Sequence, residues 1–414
     1  MSKSQRDFFL REQIRAIQRE LGETDTATAD ANALREALDK AKLPPDARKV
    51  ADKELERLQQ TPPAVAEYSI TRNYLDWLAN LPWSKSTEDK LDLDEAARLI
   101  QARKPCCIAG DEALLRQLPR GDWIGGTIPY FMADSGGTCS RQQVFVTELP
   151  AGHLPPSVRL YPRNQLSRVC IDGPEHGFSV MVLPAFSEVH EAFAQEAPGY
   201  EDMYMKPLVG WIAGMHLDEP GTRARVVDGQ TGLLHDNAAV VIHLPLPETA
   251  LVHVDILNLF TPGDGPVIEF ARSGFTGGDC LIDGQPANLH DWWVRQGADT
   301  RWPLVADYHG ALINVSIKAL DAAHRRVEFY APVFPGVGYR LARPLPDYSA
   351  AFARATAGQA LASDPVFCCN CILNYLHGQL QGRRTGRFQG PMTFGEIGYQ
   401  LLNQTLVHLS VEGL

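Results

Sequence analysis

Apolar positions along this chain follow two different rhythms, and the change comes near residue 100. Before it they recur every three or four residues, the spacing of one helix face. Leu10, Ile14, Ile17 and Leu21 keep that spacing, with Arg11, Glu12, Arg15, Gln18 and Arg19 on other faces and Gly22 as a stop. Residues 24–30 are small and polar and predict a loop at the tip of a hairpin. A second helix over 32–42 presents Leu34, Leu38 and Ala41, and Pro44-Pro45 breaks it. Pro45-Asp46 suits the first turn of a third helix, which carries Val50, Leu55 and Leu58 and ends before Pro62-Pro63. A fourth, over 69–81, places Ile70, Tyr74, Trp77, Leu78 and Leu81 on its apolar side.

From Lys104 onward, Gly and Pro become frequent and apolar/polar alternation takes over, the period of a half-buried strand. Strands are expected at 143–147, 167–171, 178–183, 239–243, 251–259, 267–270, 312–317 and 327–330. Helices are expected at 111–118, 186–196, 289–296, 348–356 and 371–380. A lobe boundary falls at 245–247 or 261–265. The fold class read from this pattern is an α-helical hairpin or bundle over 1–103, followed by an α+β two-lobed domain. Its lobes span 104–247 and 248–414.

Composition narrows the function. A chain of 414 residues exceeds one ordinary core, and 44% hydrophobic with 21% charged residues is a soluble globular balance. The formal charge of −11 argues against nucleic acid as a partner, since phosphate neutralisation needs clustered Lys and Arg. The densest basic cluster, Arg383-Arg384-x-x-Arg387, reads as a solvated loop. No apolar run approaches the roughly 18 residues of a membrane span, and the N-terminus lacks a signal-peptide core. Eight cysteines in mostly apolar surroundings, two pairs of them adjacent, suit reduced thiols in the cytoplasm.

Certain words in the chain resemble known families. Ser4-Gln5-Arg6-Asp7-Phe8-Phe9-Leu10-Arg11-Glu12-Gln13, Ile17-Gln18-Arg19-Glu20-Leu21-Gly22-Glu23, Thr71-Arg72-Asn73-Tyr74-Leu75-Asp76-Trp77-Leu78 and Leu81-Pro82-Trp83 resemble the helical arm that precedes the ATPase ring of bacterial Lon protease. No G-x-x-x-x-G-K-[ST] loop follows to cradle nucleotide phosphates, and no Ser–Lys protease segment follows either. The resemblance implies an interaction element without catalysis, with Lon or its substrates as partner.

Farther on, Ile282-Asp283-Gly284-Gln285-Pro286-Ala287, Ala331-Pro332-Val333-Phe334-Pro335-Gly336, Phe367-Cys368-Cys369-Asn370-Cys371 and Thr393-Phe394-Gly395-Glu396-Ile397 resemble, in order, the C-terminal half of FIST sensory domains. The fit spans about 250–400 and is looser before it, resting there on Trp123-Ile124-Gly125-Gly126-Thr127. An arginine-glycine ending expected after the cysteine is replaced by Ile372-Leu373-Asn374-Tyr375-Leu376. The resemblance implies that the two-lobed domain is of sensory type, with a small-molecule metabolite, such as an amino acid, in a cleft. Gly125, Gly126, Thr127, Cys371, Asn374 and Glu396 are the candidate contacts, with Glu396 holding a ligand's cation at a helix start. The plainer reading makes the glycines turn residues and Glu396 a first-turn acid.

Two constellations invite chemistry. Cys368, Cys369 and Cys371, with Cys106 and Cys107, would need separated pairs to bind zinc, and adjacent cysteines rarely point one way. A thiol nucleophile would need an aimed histidine, and His377 cannot be placed from sequence. His235-Asp236, His243, His253 and Asp255 lack H-x-H or H-E-x-x-H spacing, so satisfied core or surface histidines are the better reading. No metal and no cofactor are expected. Three functions stand: a non-catalytic ligand sensor or adaptor with a Lon-like arm, an enzyme with a cysteine-based site in the C-terminal lobe, and a gene-fusion product with a passenger Lon fragment.

Overall fold

A computed structural model of the chain describes residues 23–41, 43, 45–61, 65–80, 93–152, 154–219, 221–308, 310–359, 361 and 363–413, with Arg6 and Gln13 singly. The helix expected over Leu10–Leu21 and the words around Leu81-Pro82-Trp83 lie outside these residues. The chain divides into two compact units, Met1–Glu88 and Asp89–Leu414.

The first unit contains the helices Glu23–Lys40, Pro45–Gln60 and Ala66–Asn80. They meet through Ala31, Leu34 and Leu38, through Ala51, Leu55 and Leu58, and through Tyr68, Leu75 and Leu78. Each triplet keeps helical spacing, so three narrow stripes close one small core. Two expectations change here. Residues 24–30 are helical rather than a loop, because Ala27, Ala29 and Ala31 favour helix and no Gly or Pro interrupts 23–40. The last helix is also rotated from the expected face. Ile70 (68%), Tyr74 (44%) and Trp77 (72%) are exposed, while Tyr68, Thr71, Leu75 and Leu78 are buried.

The second unit opens with the helix Leu93–Gln101, which the sequence reading grouped with the arm. Its Ala96 and Ile100 pack with Ile108, Leu115, Trp123 and Val146, so it belongs to this unit's core. Strands dominate thereafter. Among the described residues, one sheet runs in the order Gln400–Leu402, Glu396–Gly398, Leu208–Ala213, Gly177–Pro184, Ala238–Pro245, Ser157–Pro162. A second runs Leu251–Asn258, Thr405–Glu412, Phe367–Cys371, Gly390–Thr393, Tyr130–Ala133, Gly136–Cys139. Both sheets draw strands from each side of the expected 247/248 boundary, so the two stretches are interleaved. The architecture is a set of helices followed by a large mixed α/β region of several sheets.

Among the described residues, three parallel strand pairs punctuate this region: Cys106–Gly110 with Trp123–Thr127, Gly177–Pro184 with Leu208–Ala213, and Phe367–Cys371 with Gly390–Thr393. Each crossover carries a helix, as parallel pairing requires a long return. The expected strand at 167–171 is absent. A 3-10 turn spans Arg163–Arg168, and Leu166, Val169 and Cys170 are buried at helical spacing instead of alternating. Other expected elements coincide closely, including the helix Leu289–Gln296, capped by the Asn288 side chain and ended by Gly297 at φ 58°. No described helix is long and apolar enough to cross a membrane.

Candidate ligand-binding site

The crossover after Phe367–Cys371 builds an extended buried polar network. Cys371 ends that strand and caps the helix Ile372–His377. Glu396 begins the strand Glu396–Gly398, not a helix, and is wholly buried. Its Oε2 accepts from the Thr405 backbone N–H (3.1 Å) and hydroxyl (2.8 Å), and Thr393 Oγ1 lies 3.1 Å from Oε1. Burial pushes the Glu396 carboxyl up to about 8, against the hydrogen bonds from Thr405, Thr393 and the Cys371 thiol. Burial, then the Glu396 charge, holds the Cys371 thiol well above its ordinary range. A carboxyl near neutrality beside a protonated thiol is a hydrogen-bonded pair rather than an activated nucleophile.

Asn374 joins the same network. Its Oδ1 accepts from the Tyr348 hydroxyl (2.6 Å), and its Nδ2 donates to Asn370 Oδ1 (2.8 Å) and to the Thr405 carbonyl (3.1 Å). Tyr348 in turn accepts from Gln404 Nε2 (2.9 Å), whose Oε1 accepts from Ser316 Oγ (2.7 Å). Three of the six candidate contacts, Cys371, Asn374 and Glu396, therefore share one buried network. None of them has appreciable solvent exposure, so Glu396 does not present its carboxylate to an open cleft.

The other three stand apart from it. A Cβ on Gly125 would come within 2.3 Å of the Ile108 carbonyl, and one on Gly126 within 2.8 Å of Val182. Close packing of strands explains both glycines. Thr127 donates to the Gly214 carbonyl (2.7 Å) and accepts from Arg225 N–H (2.9 Å). It borders a small cavity of about 90 Å³ with Asp111, Arg141, His216 and Glu219, where Arg141 bridges Asp111 (3.0 Å) and Glu219 (2.9 Å).

A much larger cleft, about 610 Å³, lies along the helix Tyr348–Ala357. Phe352, Leu361, Leu380 and Phe388 give it an apolar floor, and Arg383, Arg384 and Arg387 stand on its rim. Its wall adjoins the buried network: Ser349, on the cleft, donates to the Gly378 carbonyl (2.9 Å), and Tyr348 beside it binds Asn374. The sequence reading missed this cleft. Its one visible signal was the Arg383-Arg384-x-x-Arg387 cluster, read there as a solvated loop.

The remaining constellations are structural in form. His243 is buried between Ser179 Oγ (2.7 Å) and the Tyr161 hydroxyl (2.9 Å), a satisfied core histidine. His253 is half-exposed beside Glu412, and Asp236 faces Arg223 (3.4 Å). His377 lies edge-on to Tyr348, with ring centres 5.6 Å apart. Cys107 accepts from Trp211 Nε1 (3.4 Å), and Cys369 donates to the Gly210 carbonyl (3.1 Å), each tying a different sheet to the strand Leu208–Ala213. Among the described residues, no group of three or more His, Cys, Asp or Glu is placed to hold a metal.

Comparison with known proteins bears on both units. Residues 91–412 match the model of a family described as a family of unknown function (DUF6976). This chain belongs to that family. A stretch of 100 residues, 24% of the chain, is 54% identical to Lon protease of Dictyoglomus thermophilum and covers 13% of it. Lon protease of Roseiflexus castenholzii is likewise 54% identical over 100 residues (12% of its length), and that of Geobacter metallireducens 51% (12%). The chain thus spans only about an eighth of the length of these curated relatives.

Proposed function

We propose that this member of the family is a non-catalytic small-ligand sensor, in which the second unit binds a metabolite and the Lon-type helices meet a protein partner. The observation that carries it is the cleft of about 610 Å³ whose wall helix also anchors the Cys371–Asn374–Glu396 network. A volume of that size suits a small metabolite, and an apolar floor with a few polar groups is the usual make-up of such sites. Occupancy that shifts the helix Tyr348–Ala357 would be felt at once by Tyr348, Asn374 and the buried carboxyl. The resemblance of residues 250–400 to FIST sensory domains accords with this reading.

Likeness to one segment of Lon supports Lon, or a substrate of Lon, as the partner of the helical unit. On the helix Ala66–Asn80, Ile70, Tyr74 and Trp77 are exposed apolar side chains at helical spacing. The cysteine-enzyme reading has less support, because burial holds the Cys368, Cys369 and Cys371 thiols protonated.

Thermal shift of the whole protein against a metabolite library tests the sensor, with Ala353→Trp as the control that fills the cleft from an exposed helix position. A ligand that raises Tm in the parent and not in Ala353→Trp is the expected result, since binding only the folded state stabilises it. A library without any such compound defeats the reading. Co-purification with Lon that persists in a Trp77→Ala, Ile70→Ala variant removes the assigned contact face.

A further inference from the structure

The rim of the cleft carries a charge pattern opposite to that of the chain. The protein holds 50 acidic against 39 basic residues, yet the described cleft lining includes three arginines and no acid. Several arginines elsewhere are neutralised: Arg159 and Arg168 share Asp172, Arg325 meets Asp291, and Arg141 meets Asp111. On the rim only Arg387 has a carboxylate, that of Asp364 at 3.1 Å. Arg383 and Arg384 have no side-chain partner among the described residues.

All three hydroxyls that line the cleft are already spent on backbone, which leaves Gln359 as its one uncharged polar side chain without such a bond among the described residues. Ser349 donates to Gly378, Thr356 to the Phe352 carbonyl (3.0 Å), and Thr385 to the Phe388 carbonyl (2.7 Å). What is left for recognition above an apolar floor is chiefly guanidinium. The segment that bears it is pinned by its backbone: Gly382 N–H donates to Gly137 (2.8 Å), Gly137 N–H to Arg383 (3.0 Å), and Arg383 N–H to Leu380 (2.9 Å). A Cβ on Gly137 would lie 2.4 Å from the Leu380 carbonyl, so glycine permits this close seating. A fixed backbone beneath free guanidiniums lowers the ordering needed on binding.

Resting on the cleft reading above, we propose that the ligand is a small organic anion, a phosphate monoester or carboxylate with a compact apolar body. Its charged head lies in the planar forks of Arg383 and Arg384, which match carboxylate and phosphate oxygens in pairs. Its body lies on Phe352, Leu380 and Phe388. The same head-group chemistry occurs free in solution and on anionic lipid, and the assignment here is to the soluble form.

Full-length protein is titrated with phenyl phosphate, phenylacetate, inorganic phosphate, neutral benzyl alcohol, benzylamine and vesicles of phosphatidylglycerol. Calorimetry and thermal shift are the readouts, with Arg383→Ala/Arg384→Ala, Arg383→Lys/Arg384→Lys and Ala353→Trp alongside. The expected result is binding of the two aromatic anions that weakens with salt, falls at least tenfold in the double alanine variant and less in the double lysine variant, and is lost in Ala353→Trp. Benzyl alcohol binding as tightly as the anions, or anion binding blocked by Ala353→Trp but untouched by the double alanine variant, overturns the anion assignment and leaves the cleft reading standing. Vesicle binding through the arginines without soluble-anion binding overturns the assignment in favour of lipid. No binding by any probe overturns the assignment alone, because the metabolite library tests the cleft separately.

Discussion

Thr405 donates both its backbone N–H and its hydroxyl to one oxygen of Glu396, at 3.1 and 2.8 Å. Two donors on a single oxygen stabilise the ionised form, yet complete burial outweighs them and leaves the carboxyl at about 8. The folded value lies above the ordinary 4.5, so the stability this group contributes is fully present below about pH 4.5 and lost as pH rises through 8. Glu396→Gln keeps an acceptor for Thr405 and removes the ionisation. The expected outcome is a Tm that declines less between pH 5 and 8 than in the parent, as a calorimetric pH series would read. An unchanged slope would show that Glu396 is ionised or hydrated in the folded state.

Histidines set the opposite limb. Burial holds His190 down at about 3, and His243 and His377 at about 4, all below the ordinary 6.5. Their contribution is present above about pH 6.5 and lost as pH falls toward those values. Stability is therefore expected to decline below pH 6.5, and the imidazole NMR signals of His190 and His243 to stay constant from pH 8 to 5. Titration of either near 6.5 would contradict its buried placement.

Replacing His243 by Phe strands Ser179 and one bond of Tyr161, both of them buried. Loss of about 2–4 kcal/mol in urea unfolding is the expected outcome, two hydrogen bonds and the desolvated groups they leave behind. A loss under about 0.5 kcal/mol would mean that the cluster relaxes without harm.

Of the eight cysteines only Cys139 is exposed. One thiol per chain should react quickly with a disulfide reagent in the native protein, and Cys139→Ser should abolish that phase. A second fast thiol would reveal opening around one of the buried cysteines. Cys371→Ala should cost about 1–3 kcal/mol, as a small cavity beside Glu396.

In the helical unit the two apolar stripes of Ala66–Asn80 can be told apart by mutation. Leu75→Ala should cost about 2–5 kcal/mol, being wholly buried, whereas Trp77→Ala should stay within about 0.5 kcal/mol. The reverse order would restore the face expected from sequence.

Much of the secondary structure was legible because periodicity and punctuation agree there. Asn288 and Gly297 bracket one helix, and short, nearly continuous apolar runs mark Gly177–Pro184 and Ala238–Pro245. The helix face at Ala66–Asn80 was not, since Ile70, Tyr74 and Trp77 form as good a stripe as Tyr68, Leu75 and Leu78, and only the neighbours decide. In the site, Cys371, Asn374 and Glu396 were brought together by strand order that no local pattern encodes. The cleft escaped notice for the same reason: Arg383 and Arg384 gain meaning only from Phe352 and its helix, some thirty positions earlier.

The strand Thr405–Glu412 lies between Leu251–Asn258 and Phe367–Cys371, bonded to both. During synthesis it leaves the ribosome after the other five strands of its sheet. Until then Leu251–Asn258 lacks its described strand partner, and Phe367–Cys371 has one open edge. Completion of this sheet must therefore wait for Thr405–Glu412, and a nascent chain stalled short of it presents bare strand edges to its surroundings.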